Sequence, residues 1–334
     1  MRRKVDRGLM LNRVQRVHPY RDLWREYKAD LLFFDPRGID WEGERIRGLL
    51  LHKGRWLEGY FGFPKTVYNR TFPEQKEAIQ GLAEKIGKER IFNERTHFDK
   101  WEVYVHLSAG EAVKNHLPAT YRHTGDDLPE LLRRHPSVIF KPRLGHGGAG
   151  VIQVTQVSDN AVILRSGWGF PVPLLGADVF IPLLLALAPP EQFIAQEFIE
   201  GMRQGGSTFD IRILMQKNSA GQWEAGGELS RVSRAPNLLT NHYHAIVSPS
   251  ELVPQELLSS LHAISTAAAV ALDGPFAALG ELGVDFLIDE SGHPWIIEVN
   301  GKPDKGLFWR LRDGEVLERI YLNPLEYQEH LLDL

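Results

Sequence analysis

Two carboxylates and one amide stand close together in the stretch "GVDFLIDESGHPWIIEVNGKPDKG", residues 283–306. Glu298 and Asn300 are two residues apart in a β-like run, so they project from one face of a strand. The turn "DESGH" reverses the chain and lets Asp285 oppose them across a hairpin. Oxygen ligands of this kind suit a hard cation such as Mg²⁺. We interpret the three residues as a magnesium site; the alternative is that they are solvent-facing residues of two strands.

A glycine-rich loop is the second chemical signal. Gly145, Gly147, Gly148 and Gly150 separate the β-like runs "SVIFKP" and "VIQVTQV". Glycines permit close backbone approach, so successive N–H groups can cradle phosphate oxygens. The loop is neither a Walker A loop nor a Rossmann fingerprint, because no G-K-[ST] is present and a strand follows. A hairpin turn would also explain it, but Lys141 ends a buried-looking strand, where its ammonium needs a counter-charge such as phosphate.

Polar residues on two further runs each admit two interpretations. Asp210 and Arg212 share one strand face in "TFDIRILM". They form either a cross-strand ion pair or a contact with the ribose and phosphates of a nucleotide. Arg231, Arg234 and Asn241 follow on the next strand and loop.

Two more segments carry no chemical signal when each is taken alone. Lys100, in "FDKWEVYVHL", is by itself an ordinary solvated helix residue. The run "AQEFIE", residues 195–200, is by itself an ordinary strand, although its main chain suits the edge of an adenine ring.

Composition narrows the class of protein. The chain has 334 residues, 43% hydrophobic and 25% charged, with a formal net charge of -4, and it contains no cysteine. The charge argues against a nucleic-acid binder, and the lack of cysteine excludes disulfides, thiolate metal sites and a cysteine nucleophile. The basic N-terminus lacks the apolar core of a signal peptide, and the longest apolar run, "VFIPLLLALAPP", is too short to cross a bilayer. We expect a soluble protein of two or three subdomains.

The elements that must position these residues follow from the pattern of the chain. Short β-like runs separated by Gly, Pro and Asp fill the first 72 residues, and a helix follows Pro73. The segment after Phe98 predicts a helix up to His116 and then an extended "LPAT". Further strands are "QFIAQEFIE", "TFDIRILMQK" and "WEAGGELSRVS", and a helix spans roughly Pro254 to Leu272.

The order of these motifs resembles the ATP-grasp superfamily over roughly residues 97–306. Its most specific part is the closing Asp…Glu-x-Asn with a thirteen-residue gap. Within the superfamily, "FDKW", "LPAT", "FDIRILMQK" and "IIEVNGKPDKG" look most like the YheC/YheD group, which is described as endospore coat-associated.

The resemblance implies an α+β ATP-grasp fold, two α+β subdomains gripping ATP, preceded by a small mixed α/β N-terminal domain. The implied boundaries are 1–95 for the N-terminal domain and 96–334 for the ATP-grasp domain. Within the latter, the glycine-loop subdomain covers about 136–192 and the metal-binding core about 193–310.

The resemblance also implies a role for each candidate residue. Those assigned to the nucleotide are Lys100 and Lys141 on the phosphates, the loop with Gly145, Gly147, Gly148 and Gly150 as a flexible lid, Gln196, Glu197, Phe198 and Ile199 at the adenine hinge, Asp210 on the ribose, and Asn241. Those assigned to catalysis are Arg212 and Arg231, on the transferring phosphoryl group or acyl phosphate, and those assigned to metal are Asp285, Glu298 and Asn300.

The implied reaction is ligation of a carboxylate to an amine, or to a thiol, with ATP and one or two Mg²⁺ ions as cofactors and an acyl phosphate as intermediate. A kinase on the same fold and a non-catalytic ATP-binding, spore coat-associated protein are the alternatives. "NGKPDKG" departs from the small residue, Pro and Gly that follow Glu-x-Asn in many relatives, and Lys302 and Lys305 suit an acidic acceptor, of which a peptide is one kind. We expect no nucleic-acid or membrane partner and a cytoplasmic, spore-associated location.

Overall fold

The computed structural model describes residues 5–11, 17–27, 29–73, 75–125, 128–167, 170–233 and 242–333. Each of its three sheets has six strands, and the chain completes them one after another. None of the helices in these ranges is long and apolar enough to cross a membrane. The mixture of helices with three sheets is the α+β class expected from the sequence.

The first sheet has the order β4-β3-β2-β1-β5-β6, parallel around β1 and antiparallel from β2 to β4. Apolar runs such as "DLLFFD" bury one face of the sheet under α2 and the other against the C-terminal part of the chain. Its elements are β1 (Val5–Met10), α1 (His18–Tyr27), β2 (Leu31–Asp40), β3 (Arg45–His52), β4 (Arg55–Phe61), β5 (Pro64–Asn69), α2 (Lys76–Ile86) and β6 (Ile91–Phe92).

The second sheet, which carries the glycine loop, is named the lid sheet below and has the order β11-β10-β9-β8-β12-β7. It is preceded by α3 (Lys100–Ser108), which ends eight residues before the predicted His116. The remaining elements are β7 (Thr120–Arg122), α4 (Leu128–Arg134), β8 (Ser137–Pro142), β9 (Ile152–Ser158), β10 (Ala161–Ser166), β11 (Val172–Leu175), α5 (Ala177–Leu187) and β12 (Phe193–Glu197).

The predicted boundary at residue 192 needs correction. Residues 193–197, expected in the metal-binding core, form β12, which pairs with β7 and β8 inside the lid sheet. Strand pairing of this kind joins residues far apart in the chain, so the local pattern does not reveal it.

The third sheet, named the core sheet, has the order β16-β15-β14-β17-β18, with β13 paired to β14. The predicted helix after Pro254 and the predicted hairpin are both present. Its elements are β13 (Arg203–Gln204), β14 (Ser207–Lys217), β15 (Trp223–Ser233), β16 (Tyr243–Val247), α6 (Gln255–Leu272), β17 (Glu281–Ile288), β18 (Pro294–Asn300) and α7 (Gly314–Asp333).

Alternation along β14 decides which residues reach the site. Phe209, Ile211 and Ile213 pack into the core under α3 and α6. The opposite face carries Arg212, which lines a cavity described below, and Leu214, which packs under α7 and the first sheet. One strand therefore supplies both a hydrophobic anchor and the polar wall of a cleft.

The first sheet is tied to the core sheet through a buried asparagine. The side-chain oxygen of Asn93 accepts hydrogen bonds from the amides of Gly280 (2.8 Å) and Glu281 (3.0 Å). Its side-chain nitrogen donates to the carbonyls of Glu281 (2.6 Å) and Gly301 (2.9 Å). Gly280 lies so close that a Cβ there would stand 2.4 Å from the ring of Phe92. The two sheets are in direct, hydrogen-bonded contact.

Candidate functional site

The predicted hairpin places its three oxygen-bearing side chains together. Asp285 pairs with Glu298 across β17 and β18, and Asn300 pairs with Gly283. The side-chain nitrogen of Asn300 lies 3.3 Å from Oδ2 of Asp285. All three residues line one cavity of about 530 Å³ between the lid sheet and the core sheet, named the first cavity below. The convergence of the three on one site is as predicted, and their role as metal ligands stays a prediction.

Asp285 belongs to a buried ionic group, named the hairpin cluster, with Asp210, Arg212 and Arg231. Arg212 donates from Nε and Nη2 to the two oxygens of Asp285, at 2.6 Å each. Arg231 donates from Nη2 to Oδ2 of Asp285 (2.9 Å) and from Nε to Oδ1 of Asp210 (2.9 Å). These contacts run across β17, β14 and β15, whose register sets Arg212 opposite Asp285 and Asp210 opposite Arg231.

Electrostatics fix the protonation of this cluster. Burial raises the pKa of Asp285, but Arg212 and Arg231 outweigh it and bring that pKa down to about 2. Burial lowers the pKa of Arg231, and Asp210 and Asp285 together raise it above its ordinary value. Asp285 and Arg231 are therefore charged partners at neutral pH.

The hairpin cluster contains three of the predicted nucleotide-binding and catalytic residues, Asp210, Arg212 and Arg231. Asp210 is fully buried, its carboxylate accepts from Arg231, and it does not line the first cavity. The structure therefore shows the cross-strand ion pair, and the ribose contact stays a prediction. Arg212 and Arg231 do line the first cavity.

Lys141 enters the first cavity from the end of β8. Its ammonium donates to the side-chain oxygen of Gln196 (2.7 Å) and to the carbonyl of Ile297 (3.2 Å). Gln196 in turn donates to the hydroxyl of Thr120 (2.8 Å). Burial lowers the pKa of Lys141 to about 8, with Glu298 opposing and Lys100 reinforcing that shift. The side chain of Gln196, expected at the adenine hinge, thus orients this lysine.

Lys100 is not a solvated helix residue in this structure. It opens α3, where the carboxylate of Asp99 caps the helix, and its side chain is half-buried. Its ammonium donates to the carbonyl of Gly145 (2.8 Å) and lies 3.4 Å from Oε1 of Glu298. One cation therefore connects the glycine loop, residues 145–150, to the candidate metal hairpin.

The glycine loop borders the first cavity through Gly145, Gly147 and Gly148. Gly147, Gly148 and Gly150 have φ of 63°, 71° and 74°, a region that other residues adopt only with strain. Gly150 lies at the base of the loop, where a Cβ would stand 2.9 Å from Pro142. The loop therefore bends at positions that favour glycine, and its predicted contact with phosphates stays a prediction.

The predicted hinge residues Gln196, Glu197, Phe198 and Ile199 all line the first cavity. The amides of Glu197 and Phe198 donate to the carbonyls of Ala119 (2.8 Å) and Ser137 (3.0 Å). A ring bound along this segment would therefore meet the amide of Ile199. The remaining nucleotide residue, Asn241, lies outside the described residues, as does Arg234.

A second cavity, of about 650 Å³, adjoins the first. Lys100, Gly145, Glu298 and Asn300 belong to the walls of both. Most of its other residues were not predicted, because they come from separate segments that carry no motif; they include Tyr20, Arg70, Phe72, Tyr243, Arg310 and Tyr321.

Comparison with known proteins identifies the family. The family model described as YheC/D-like ATP-grasp matches residues 88–331. The chain belongs to this family. It is 26% identical over 326 residues to the endospore coat-associated protein YheD of Bacillus subtilis (strain 168), covering 91% of this chain and 69% of that protein. It is 24% identical over 324 residues to YheC of the same organism, covering 92% and 89%.

The fold has a counterpart among solved structures. The structure of VanG D-Ala:D-Ser ligase from Enterococcus faecalis superimposes with a TM-score of 0.58, at 12% identity and with 99% of each chain covered. The ATP-grasp fold expected from the sequence is thereby confirmed over the whole length of the chain.

Proposed function

We propose that this protein is an ATP- and Mg²⁺-dependent ligase that joins a carboxylate to an amine, or to a thiol, through an acyl phosphate. The observation that carries the proposal is that Lys100, Lys141 and the glycine loop border the same cavity as Glu298 and Asn300. Cations and loop amides suit phosphates, while the hairpin oxygens suit a hard cation. A second cavity that shares these walls offers room for the acceptor.

The first cavity suits a nucleotide from end to end. Its apolar wall, formed by Ile139, Leu287 and Ile297 beside Phe198 and Ile199, offers contact for a purine. Lys141 and Lys100 stand on the side of the glycine loop, where they would meet the phosphates. Such pairing of an apolar slot with a few polar groups is usual for small-molecule sites.

The metal assignment fits two of its three residues well. Glu298 has 30% of its side chain exposed, and Asn300 is half-buried beside it, so both can offer oxygen to a cation in the cavity. Asp285 is 1% exposed and accepts three guanidinium hydrogen bonds, so here it orients Arg212 and Arg231. Mg²⁺, when bound, neutralises the negative charge of the phosphates.

In this reaction the protein mainly positions the substrates and neutralises the negative charge of the reacting oxygens. A carboxylate oxygen bonds to the γ-phosphorus of ATP, the bond to the β–γ bridging oxygen breaks, and ADP leaves. The amine nitrogen then bonds to the acyl carbon, the bond to phosphate breaks, and the amine loses a proton. Lys100, Lys141 and Arg212 would balance the charge that moves between these oxygens.

Release of ADP tests the proposal. A screen of carboxylate and amine pairs with ATP and Mg²⁺ should yield ADP only when both acceptors are present, and hydroxylamine should trap the acyl phosphate as a hydroxamate. Lys141→Met should slow the release by about a hundredfold, as expected for loss of one preorganised charge. Lys114→Met, which alters an exposed lysine paired with Glu111, is the matched control.

The alternatives give different results in the same screen. Phosphate retained on a hydroxyl product would favour a kinase. Tight ATP binding without ADP from any acceptor pair would favour a non-catalytic, coat-associated protein; YheD and YheC are named endospore coat-associated proteins.

A further inference from the structure

The second cavity is long enough to hold more than one small building block. Its volume of about 650 Å³ lies in the range of pockets that hold drug-sized molecules and exceeds the needs of a single amino acid. One wall comes from the first sheet and its loops, through Tyr20 and Phe72, and the other from the core sheet and the segment after it. Residues from both ends of the chain therefore shape this cavity.

Three cations of one short segment face this cavity against aromatic rings. Lys302 lies over the ring of Phe72 at 5.8 Å. Lys305 lies over Tyr321 at 5.5 Å. Arg310 lies over Tyr243 at 5.3 Å. Attraction to a ring face holds a cation in place without neutralising its charge. The three cationic groups are thus held at the cavity, where Lys305 also has the carboxylate of Glu281 as a partner.

Carboxylates are fewer than cations along the walls. Among the described residues that line the cavity, five are lysine or arginine, and Glu298 and Asp304 are the acids. Asp304 caps the short helical turn that starts at Lys305, accepting from the amide of Gly306 at 2.7 Å. Behind the wall, Lys305 shares the carboxylate of Glu281 with Arg70. The cavity is therefore electropositive from its buried end to its rim.

Two of the cations in the cavity wall differ in exposure. Lys305 is 3% exposed and lines the cavity together with the buried Tyr20 and Tyr321. Arg310 is exposed at the rim and pairs with no carboxylate of the described residues. A ligand that satisfies both must carry negative charge at separate points and must offer apolar or planar faces to the aromatic rings between them.

We propose that the second cavity binds the acceptor of the ligase and that this acceptor is an acidic peptide, with one carboxylate at Lys305 and another at Arg310. This inference rests on the proposed function for the identity of the site, and it names the substrate class. The amide planes of a peptide pack on the rings, while its carboxylates take up the positive charge.

Binding by calorimetry tests the proposal on the full chain saturated with the nonhydrolysable analogue AMPPNP and Mg²⁺. Tri-L-glutamate should bind at least tenfold more tightly than tri-L-alanine, and more tightly than free L-glutamate. Equal binding of the acidic and neutral peptides would overturn the proposal. Free L-glutamate binding as tightly as the tripeptide would reassign the cavity to a single amino acid. Tripolyphosphate binding as tightly as the peptide would show that charge alone is recognised.

A charge reversal at the rim separates this site from the first cavity. Arg310→Glu should weaken tri-L-glutamate by about tenfold and leave AMPPNP affinity unchanged, because Arg310 lines only the second of the two cavities. Arg55→Glu, at an exposed position of β4 outside both cavities, should change neither affinity. An unchanged peptide affinity in the Arg310 variant would contradict the proposed contact.

A buried variant gives a second readout. Lys305→Met should weaken the tripeptide further than Arg310→Glu, and circular dichroism establishes whether that variant folds; if it does not, the Arg310 pair of variants still decides. Failure of AMPPNP to bind would remove the proposed ligase, and tripeptide binding without nucleotide would then still support the acidic-peptide site. Nucleotide binding without any preference for the acidic peptide would remove this inference alone.

Discussion

Strand β17 carries two buried acids on one face, four residues apart, and each sits in an ionic cluster of a different kind. Asp285 belongs to the hairpin cluster, in which two arginines meet two aspartates beside the first cavity. Glu281 belongs to what we name the intersheet cluster, with Tyr68, Arg70 and Lys305. There a single carboxylate pairs with two cations, Arg70 after β5 of the first sheet and Lys305 after β18 of the core sheet.

The two clusters of β17 differ in their net charge and in the parts of the molecule that they connect. The hairpin cluster is balanced in charge and reaches a cavity wall, so it can hold arginines ready for a ligand. The intersheet cluster is buried, and Arg70 also donates to the carbonyl of Pro303 at 2.8 Å, after the hairpin of β17 and β18. Burial raises the pKa of Glu281, but Lys305 and Arg70 outweigh it and lower that pKa below its ordinary value. The hairpin cluster reaches the first cavity, whereas the intersheet cluster joins the first sheet to the core sheet and places Arg70 and Lys305 in the lining of the second cavity.

Glu281→Gln should have the largest effect on stability, lowering the free energy of unfolding by about 3–5 kcal/mol, because it leaves Arg70 and Lys305 buried without their shared carboxylate. Urea unfolding measures it. Glu281→Gln combined with Lys305→Met should recover part of the loss, because one uncompensated charge is removed. A double variant no more stable than the single one would contradict this account.

Asp285→Asn should cost less, about 1–3 kcal/mol, because Arg231 keeps Asp210 as a partner while Arg212 loses its bidentate acceptor. Its main effect should fall on function: Mg²⁺-dependent binding of AMPPNP should weaken, whereas Glu281→Gln should leave it unchanged in whatever fraction remains folded. Calorimetry with and without Mg²⁺ separates these outcomes. Equal loss of nucleotide binding in both variants would erase the functional difference between the clusters.

Burial lowers the pKa of two lysines to about 8, Lys141 in the wall of the first cavity and Lys305 in the intersheet cluster. Lys141 is cationic below that pH and neutral above it, so AMPPNP affinity should fall by about tenfold between pH 7 and pH 9. Lys141→Arg, which stays charged, should flatten this dependence, and Lys305→Arg should not. Fluorescence titration across pH measures both. A slope that survives in Lys141→Arg would assign it to another group.

Tyr68→Phe should have the smallest effect, about 1 kcal/mol, measured by the same urea unfolding. The phenol donates to Glu281 and accepts from Arg70 Nη1 at 2.7 Å, so its loss removes a bridge within a cluster whose ion pairs remain. A cost as large as that of Glu281→Gln would mean that the hydroxyl of Tyr68, rather than the ion pairs, contributes most to the stability of the intersheet cluster.

Local patterns predicted the parts of the site that one segment supplies. The spacing of Glu298 and Asn300 and the turn before them were sufficient for the hairpin, because strand faces alternate by rule. The glycine loop between two strands was equally clear. The role of Lys100 could be predicted only from the resemblance, because nothing in its local sequence distinguishes it from a solvated helix residue.

What the sequence did not reveal depends on pairing between distant segments. The intersheet cluster joins Arg70 to Glu281 and Lys305 across more than two hundred residues of chain. No spacing within one segment could predict such a group. The burial of Asp210 depends on how far the sheet extends beyond the cavity. The membership of β12 in the lid sheet depends on β7 and β8, which come earlier in the chain. These are properties of assembled sheets.

The four side-chain hydrogen bonds of Asn93 have a mechanical consequence. They connect the residue after the last strand of the first sheet to the open end of the hairpin, where β17 begins and β18 ends, so a rotation between the first and core sheets would have to break them together. We expect these two sheets to move as one rigid body. Opening and closing around a nucleotide is then left to the lid sheet, which should pivot as a flap on a fixed base and carry the glycine loop with it.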